Sequence, residues 1–258
     1  MDNKIIEKLK NISGDVSLYY KNLTTGITIA YNEDKPMMAA SVIKLTVLIE
    51  CFNQIKKGII SRDDIFITKE EEKVPSCGAL NYMRENLKVT LEDLYTLMII
   101  LSDNYATNML IDKLGMHNIN KTIKEIGLKN TILNRKMFDG EKAALGLENY
   151  VSAGDIGFLL ESMYNKELID KKSSEEMISI LKNQRLNGKI PFLLQSVNPK
   201  VLIAHKTGED TNITHDVGIV FAKEPFIVCF CGNNVNVPEY ERLMQDITYD
   251  LYKAIEQK

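Results

Sequence analysis

The sequence predicts an α+β fold: a five-stranded antiparallel sheet built from both chain ends, flanked by the terminal helices, with an all-helical lobe inserted between them. Three observations carry this. Strand-like runs fall only near the ends, at residues 16–23, 27–31, 201–207, 215–221 and 226–231. Between them, apolar residues recur at helical spacing. Both termini read as amphipathic helices, so the end segments have partners to cover a single sheet. The sheet lobe is expected over residues 1–35 and 200–258 and the helical lobe over 36–199, as one structural unit. A chain of 258 residues is long enough for a sizeable core.

In order, Ile5, Ile6 and Leu9 give residues 3–11 a short amphipathic helix, and Thr24-Thr25-Gly26 joins the first two strands as a hairpin turn. After Pro36, the apolar positions Val42, Ile43, Leu45, Val47, Leu48, Ile49 and Phe52 predict a helix buried on most of its circumference, closed by Gly58. Residues 61–92 read as charged and irregular, with 69–73 a solvated face. Thr90-Leu91-Glu92-Asp93 is a capping box for a helix through Leu94, Leu97, Met98 and Leu101. That helix breaks at Ser102-Asp103-Asn104, resumes through Ala106 to Leu114 and ends at Gly115. A short helix over 119–126 stops at Gly127. Residues 128–150 lack periodicity, and a long structureless segment in a compact domain is usually functional. Ser152 is expected to cap the next helix and Ser173 the one after it. The period changes to that of strands near Lys200, and the last helix runs from Pro238 through Ile255.

Composition excludes several function classes. A net charge of -3 supplies no electrostatic footprint for nucleic acid or an anionic membrane. No window reaches the roughly 18 apolar residues of a membrane span, and residues 1–7 lack the apolar core of a signal peptide. The chain is therefore expected to be soluble and monomeric, without an export address unless a leader precedes it; its compartment is left open. Cys51 reads as a core hydrophobe, and Cys229 and Cys231, alternating along a strand, are expected on opposite faces and unpaired. No Cys-x-x-Cys occurs, and His117, His205 and His215 are not spaced as a metal set, so neither metal nor cofactor is expected.

Ser41-Val42-Ile43-Lys44 opens the buried helix, placing a hydroxyl and an ammonium on one face. A serine attacks a carbonyl at neutral pH only with a nearby base, and a lysine in apolar surroundings can lose its proton and act as one. The pattern is cheap. Ser179-Ile180-Leu181-Lys182 repeats it on what reads as an ordinary helix surface, and a capping serine followed by a solvated lysine explains Ser41 and Lys44 equally well. Context decides. Ser102-Asp103-Asn104 falls in a break between helices, and Lys206-Thr207-Gly208 ends a strand, in chain order after the first motif.

That ordered trio resembles the serine β-lactamase and DD-peptidase superfamily, and most closely the class A β-lactamases, over nearly the whole chain. The resemblance implies a β-lactamase/transpeptidase-like fold with its active site where the two lobes meet. It also implies Ser41 as the acylated nucleophile, Lys44 as its base or proton relay, and Ser102 as the group passing a proton to the leaving nitrogen. Asn104 would hold the substrate's amide side chain, Lys206 and Thr207 its carboxylate beside Gly208, and the backbone N–H groups of Ser41 and Glu209 the oxyanion. His205, alternating to the other face from Lys206, reads as packing or surface.

Two features depart from the family pattern. Class A enzymes activate water with a glutamate in a Glu-x-x-Leu-Asn loop motif, which is absent. Residues 131–137 resemble the opening of that loop and place Met137 at the glutamate's position; a thioether accepts no water proton. Asp139 and Glu141 are the candidate replacements, with Glu148 also nearby, and Asp139 reads equally as a solvated loop residue. The other departure is Glu209, a carboxylate directly after Lys206-Thr207-Gly208 that would repel an anionic substrate unless it faces away. The leading expectation is a β-lactamase that opens a β-lactam through an ester on Ser41 and hydrolyses it. The alternative is a penicillin-binding peptidase- or esterase-like acylase with slow or no β-lactam turnover. A non-catalytic β-lactam sensor ranks last. The partner in each case is a small β-lactam or acyl-peptide, not nucleic acid.

Overall fold

The computed structural model of the chain describes residues 2–75 and 77–257. Helix α1 (Asp2–Lys10) leads into strands β1 (Asp15–Asn22) and β2 (Thr28–Tyr31), and a two-residue strand β3 (Met37–Met38) precedes α2 (Lys44–Lys56). Strands β4 (Ile65–Ile67) and β5 (Lys88–Thr90) then flank the loop before α3 (Leu91–Ile100), α4 (Asn104–Leu114) and α5 (Met116–Ile126). Next come α6 (Gly140–Ala144), β6 (Tyr150–Val151), α7 (Ala153–Tyr164), α8 (Lys171–Lys182) and α9 (Ile190–Val197). The chain closes with β7 (Leu202–Asp210), β8 (Ile213–Phe221), β9 (Phe226–Asn233) and α10 (Val237–Glu256).

The main sheet has five strands in the order β2-β1-β9-β8-β7, every neighbouring pair antiparallel, so the two chain ends are sewn together by the β1–β9 ladder. Period-two alternation sorts its side chains. Val16, Leu18, Tyr20, Val220, Phe226, Val228 and Phe230 face a cluster with α1, α9 and α10. Ala204, Val217, Ile219, Ile227, Cys229 and Cys231 face the cluster that includes α2, α3, α4, α7 and α8. The two cysteines thus share one face rather than pointing apart, because residues two apart on a strand lie on the same side. Both thiols are free and buried.

Local signals in the sequence explain most boundaries. Thr90 forms the expected reciprocal capping box with Asp93, and Ser152 caps α7 through Asp155 N. Helix α8, however, is capped by Asp170, whose carboxylate accepts from Ser173 N at 2.8 Å, which puts Ser173 and Ser174 inside the first turn and buries both. The irregular middle contains two small sheets, β3 with β6 and β4 with β5, so strands are not confined to the chain ends. Strands of two or three residues are too short for alternation to reveal. Helix α9 lies in the stretch to which sequence periodicity assigns no element; it starts with Pro191 in its first turn and joins the α1–α10 cluster through Ile190 and Leu194. Ser179 and Lys182, the second Ser-x-x-Lys copy, are exposed on α8, with Lys182 Nζ 4.0 Å over the Phe221 ring.

Candidate active site

The Ser41-Val42-Ile43-Lys44 motif sits on a 3-10 turn, Ala40–Ile43, that feeds directly into α2. Ala40 has φ 41°, a left-handed conformation costly for a residue with a Cβ, and it precedes a half-exposed Ser41. The turn is held from both sides. Ala39 N donates to Asn149 O at 2.8 Å, and β7 packs against it at Gly208, where a Cβ would come within 3.1 Å of Val42 Cγ2 and 3.3 Å of Ala39 O. Glycine eases that close approach, which brings the Glu209 segment alongside Ser41. His215 ties the same region to the sheet: its Nδ1 accepts from Gly232 N at 3.0 Å, so its Nε2–H donates to Met38 O at 2.8 Å. Burial lowers the His215 pKa to about 4, which keeps that neutral tautomer.

Ser102 lies between α3 and α4 with φ 54°, a second strained position at the site. Asp103 holds the break in place. Its Oδ1 caps α4 through Ala106 N at 2.9 Å, while Oδ2 accepts from Ala79 N at 2.7 Å and Leu80 N at 2.9 Å. Gly78 makes room for this carboxylate; at φ 123° a Cβ there would lie 2.3 Å from Asp103 Cγ.

The hydroxyl of Ser102 bridges the two lysines of the other motifs. Lys44 Nζ is 3.1 Å from Ser102 Oγ and Lys206 Nζ is 3.0 Å from the same atom. Lys44 also donates to Ser102 O and Asn104 Oδ1, each at 2.7 Å, and Lys206 to Thr207 O at 2.8 Å. Both lysines are fully buried. Burial first, and then the charge of Lys206, holds Lys44 well below the usual ammonium range. Burial also lowers Lys206 to about 7, helped by the nearby Lys189 cation and opposed by Asp216. Two like charges sharing one hydroxyl favour a state with one of them neutral, and a neutral lysine amine is a proton acceptor. Ser41 Oγ makes no hydrogen bond among the described residues, and Lys44 is turned toward Ser102 and Asn104.

A cavity of about 470 Å³ opens over Ser41 and Asn104 and reaches Met137, Asp139 and Glu209. Met137 is 9% exposed, and its backbone is clamped by Asn108, which accepts from Met137 N at 2.8 Å and donates to Met137 O at 3.0 Å. Asp139 lines the cavity and also caps α6, accepting from Lys142 N at 3.0 Å. Glu141 is exposed on α6 and does not line the cavity. Glu148 lines it but is paired with Arg135, at 2.8 Å to Nε and 2.7 Å to a terminal nitrogen. His205 is buried, bonded to Asp216 Oδ1 at 2.9 Å and Asn187 Oδ1 at 3.0 Å. No group of three or more His, Cys, Asp or Glu side chains among the described residues is placed to hold a metal ion.

One group escaped the sequence reading. Lys189, 2% exposed at the start of α9, donates to Glu209 Oε1 at 2.8 Å and His215 O at 3.2 Å and stands 3.5 Å from Glu241 Oε1. The only signal for it was Pro191, which marks a helix start two residues on.

The solved structure most informative for comparison is a β-lactamase from Sphaerobacter thermophilus DSM 20745, 26% identical, with TM-score 0.91 over 99% of this chain and 97% of that one. PBP-A superposes with TM-score 0.89 at 25% identity, over 100% of this chain and 96% of that one. The extended-spectrum β-lactamase TLA-3, at 19% identity, shares the fold with TM-score 0.88 over 99% and 98% of the two chains. No protein of curated function matches the sequence significantly. The β-lactamase enzyme family itself matches over residues 2–255, nearly end to end, and no helix among the described residues is long and apolar enough to cross a membrane. With fold, motif order and family match in agreement, this chain belongs to the β-lactamase enzyme family.

Proposed function

We propose that the protein is a serine acylase of the penicillin-binding type, acylated on Ser41 by β-lactams or acyl-peptides and slow to release the acyl group. The observation that carries this is the Lys44–Ser102–Lys206 bridge beside Ser41, set against a loop that presents Met137 where a water-activating carboxylate is expected. In acylation, Ser41 Oγ bonds the substrate carbonyl carbon as its proton passes to neutral Lys44. The carbon–nitrogen bond then breaks while Ser102 hands a proton to the leaving nitrogen. Backbone N–H groups of Ser41 and Glu209 serve the oxyanion, Asn104 serves the substrate's amide, and Lys206 and Thr207 line the leaving-group side. For deacylation, Met137 is apolar, Glu148 is committed to Arg135 and Glu141 lies outside the cavity, which leaves Asp139, whose carboxylate caps α6.

A second reading, a β-lactamase with rapid turnover, is favoured by one observation, that Asp139 lines the same cavity as Ser41. Intact-protein mass spectrometry after addition of a penicillin separates the two. A Ser41 adduct that persists, absent from Ser41→Ala, is the expected result. Rapid return to the free mass, abolished in Asp139→Asn, supports the β-lactamase; no adduct at all refutes both.

A further inference from the structure

We infer that Glu209 sets the charge specificity of this site, so that acyl donors with an uncharged or cationic leaving group are preferred over those whose leaving group carries a carboxylate. The inference rests on the reading of Ser41 as nucleophile and names its substrate class. Lys206 touches Ser102, the residue assigned to the leaving group, so an anion drawn to the end of β7 sits on the leaving-group side.

The cations on that side are already committed. The Lys189 ammonium donates to Glu209 Oε1 at 2.8 Å and His215 O at 3.2 Å and is ion-paired with Glu241 Oε1 at 3.5 Å. Its side chain is 3% exposed, whereas that of Glu209 is 56% exposed. An incoming anion therefore meets the carboxylate before the ammonium. Two acids, Glu209 and Glu241, share that single cation, which leaves the cluster net negative. Asp210, next along β7, is exposed in the same cavity lining. Arg135 across the cavity is spent on Glu148. Lys206 is turned inward to Ser102 Oγ and Thr207 O, and near neutrality burial leaves it only partly charged. Glu209 thus occupies Lys189 as an internal carboxylate, in the role an external one would otherwise take, and an incoming like charge is repelled at the rim, less so as salt screens it.

The test uses two thioesters with one acyl group, one releasing thioglycolate and the other thioglycolamide, which differ in a single charge. Ser41 Oγ attacks the thioester carbonyl, the carbon–sulfur bond breaks, and the released thiol is read with a thiol reagent. The wild type is expected to have the higher kcat/KM for the amide, with the gap narrowing as salt is raised. In Glu209→Gln, the carboxylate-to-amide ratio of kcat/KM is expected to rise about tenfold or more, the factor a single neutralised charge near a protein surface supplies. A wild-type preference for the carboxylate, or a ratio unchanged in Glu209→Gln, overturns the inference while leaving the acyl-transfer reading intact. Release of neither thiol, with no adduct on Ser41, overturns that reading and this inference with it. If Glu209→Gln fails to fold, Asp210→Asn keeps the test: wild-type salt dependence retained in Asp210→Asn is expected, and its disappearance there overturns the assignment to Glu209.

Discussion

Replacing Met137 by glutamate tests whether the lifetime of the acyl-enzyme is set by the missing base. The position suits the experiment because Asn108 clamps the Met137 backbone through both N and O, so the new side chain starts from a fixed point on the cavity wall. General-base assistance is worth about 10²–10⁴ in rate, which at about 1.36 kcal/mol per decade is roughly 3–5 kcal/mol off the deacylation barrier. Part of this is lost. At 9% exposure the carboxylate is desolvated, which raises its pKa, and Arg135 is already held by Glu148. A net acceleration of about 10–10³ in the decay of a penicillin adduct is therefore expected, rising with pH as the new carboxylate ionises. Mass spectrometry of the pre-formed adduct gives the decay constant directly. Met137→Gln has the same shape and polarity without the base and should decay at the wild-type rate. Equal acceleration in Gln and Glu variants, or none in a folded Glu variant, would refute the assignment of slow deacylation to this residue.

Three further outcomes follow from the site. Ser102→Gly removes the bridging hydroxyl and should cut acylation by about 10²–10⁴. Because Ser102 sits at φ 54°, thermal denaturation should find this variant more stable than Ser102→Ala by about 1 kcal/mol. Gly208→Ala forces a Cβ against Val42 Cγ2 and His215 Cδ2 at 3.1 Å each; a cost of about 1–3 kcal/mol in denaturant melts and slower Ser41 acylation are expected. Lys206 has a folded-state pKa of about 7 against an ordinary 10.5, so the unfolded chain binds more protons between those values. The contribution of this group to stability therefore rises with pH across that window and is lost as pH falls through 7, and Lys206→Met should flatten the slope measured by chemical denaturation.

How far the sequence reveals this protein depends on the range of the interactions involved. The helices with their own capping chemistry at Thr90 and Ser152 are written within three or four residues and are legible. So is the trio of motifs, whose members mean little singly; the second Ser-x-x-Lys copy on the surface of α8 shows how little. Two local features were also misplaced. The α8 cap lies at Asp170 rather than Ser173 because two serines in a row fit the first turn and leave the acid ahead of them to take the free N–H groups. Cys229 and Cys231 required only the strand period, applied at two residues rather than one.

Lys189 marks the deeper limit. Nothing within ten residues of it carries an acid, yet in the fold its charge answers Glu209, twenty residues away along the chain, and Glu241 on the last helix. From sequence alone, Glu209 therefore stands as an unexplained carboxylate beside a lysine-threonine-glycine motif. In the fold it has a counter-ion, and the question shifts from whether it repels an anionic substrate to which ion holds Lys189. The substitution that separates these is at the lysine. Lys189→Met releases Glu209 while deleting the cation, so a site governed by repulsion from Glu209 should discriminate more strongly against the carboxylate thioester than the wild type does. A site in which Lys189 itself reaches the substrate should instead lose binding to that thioester without any dependence on Glu209, and the double variant with Glu209→Gln distinguishes the two, because only repulsion is relieved by removing the second charge.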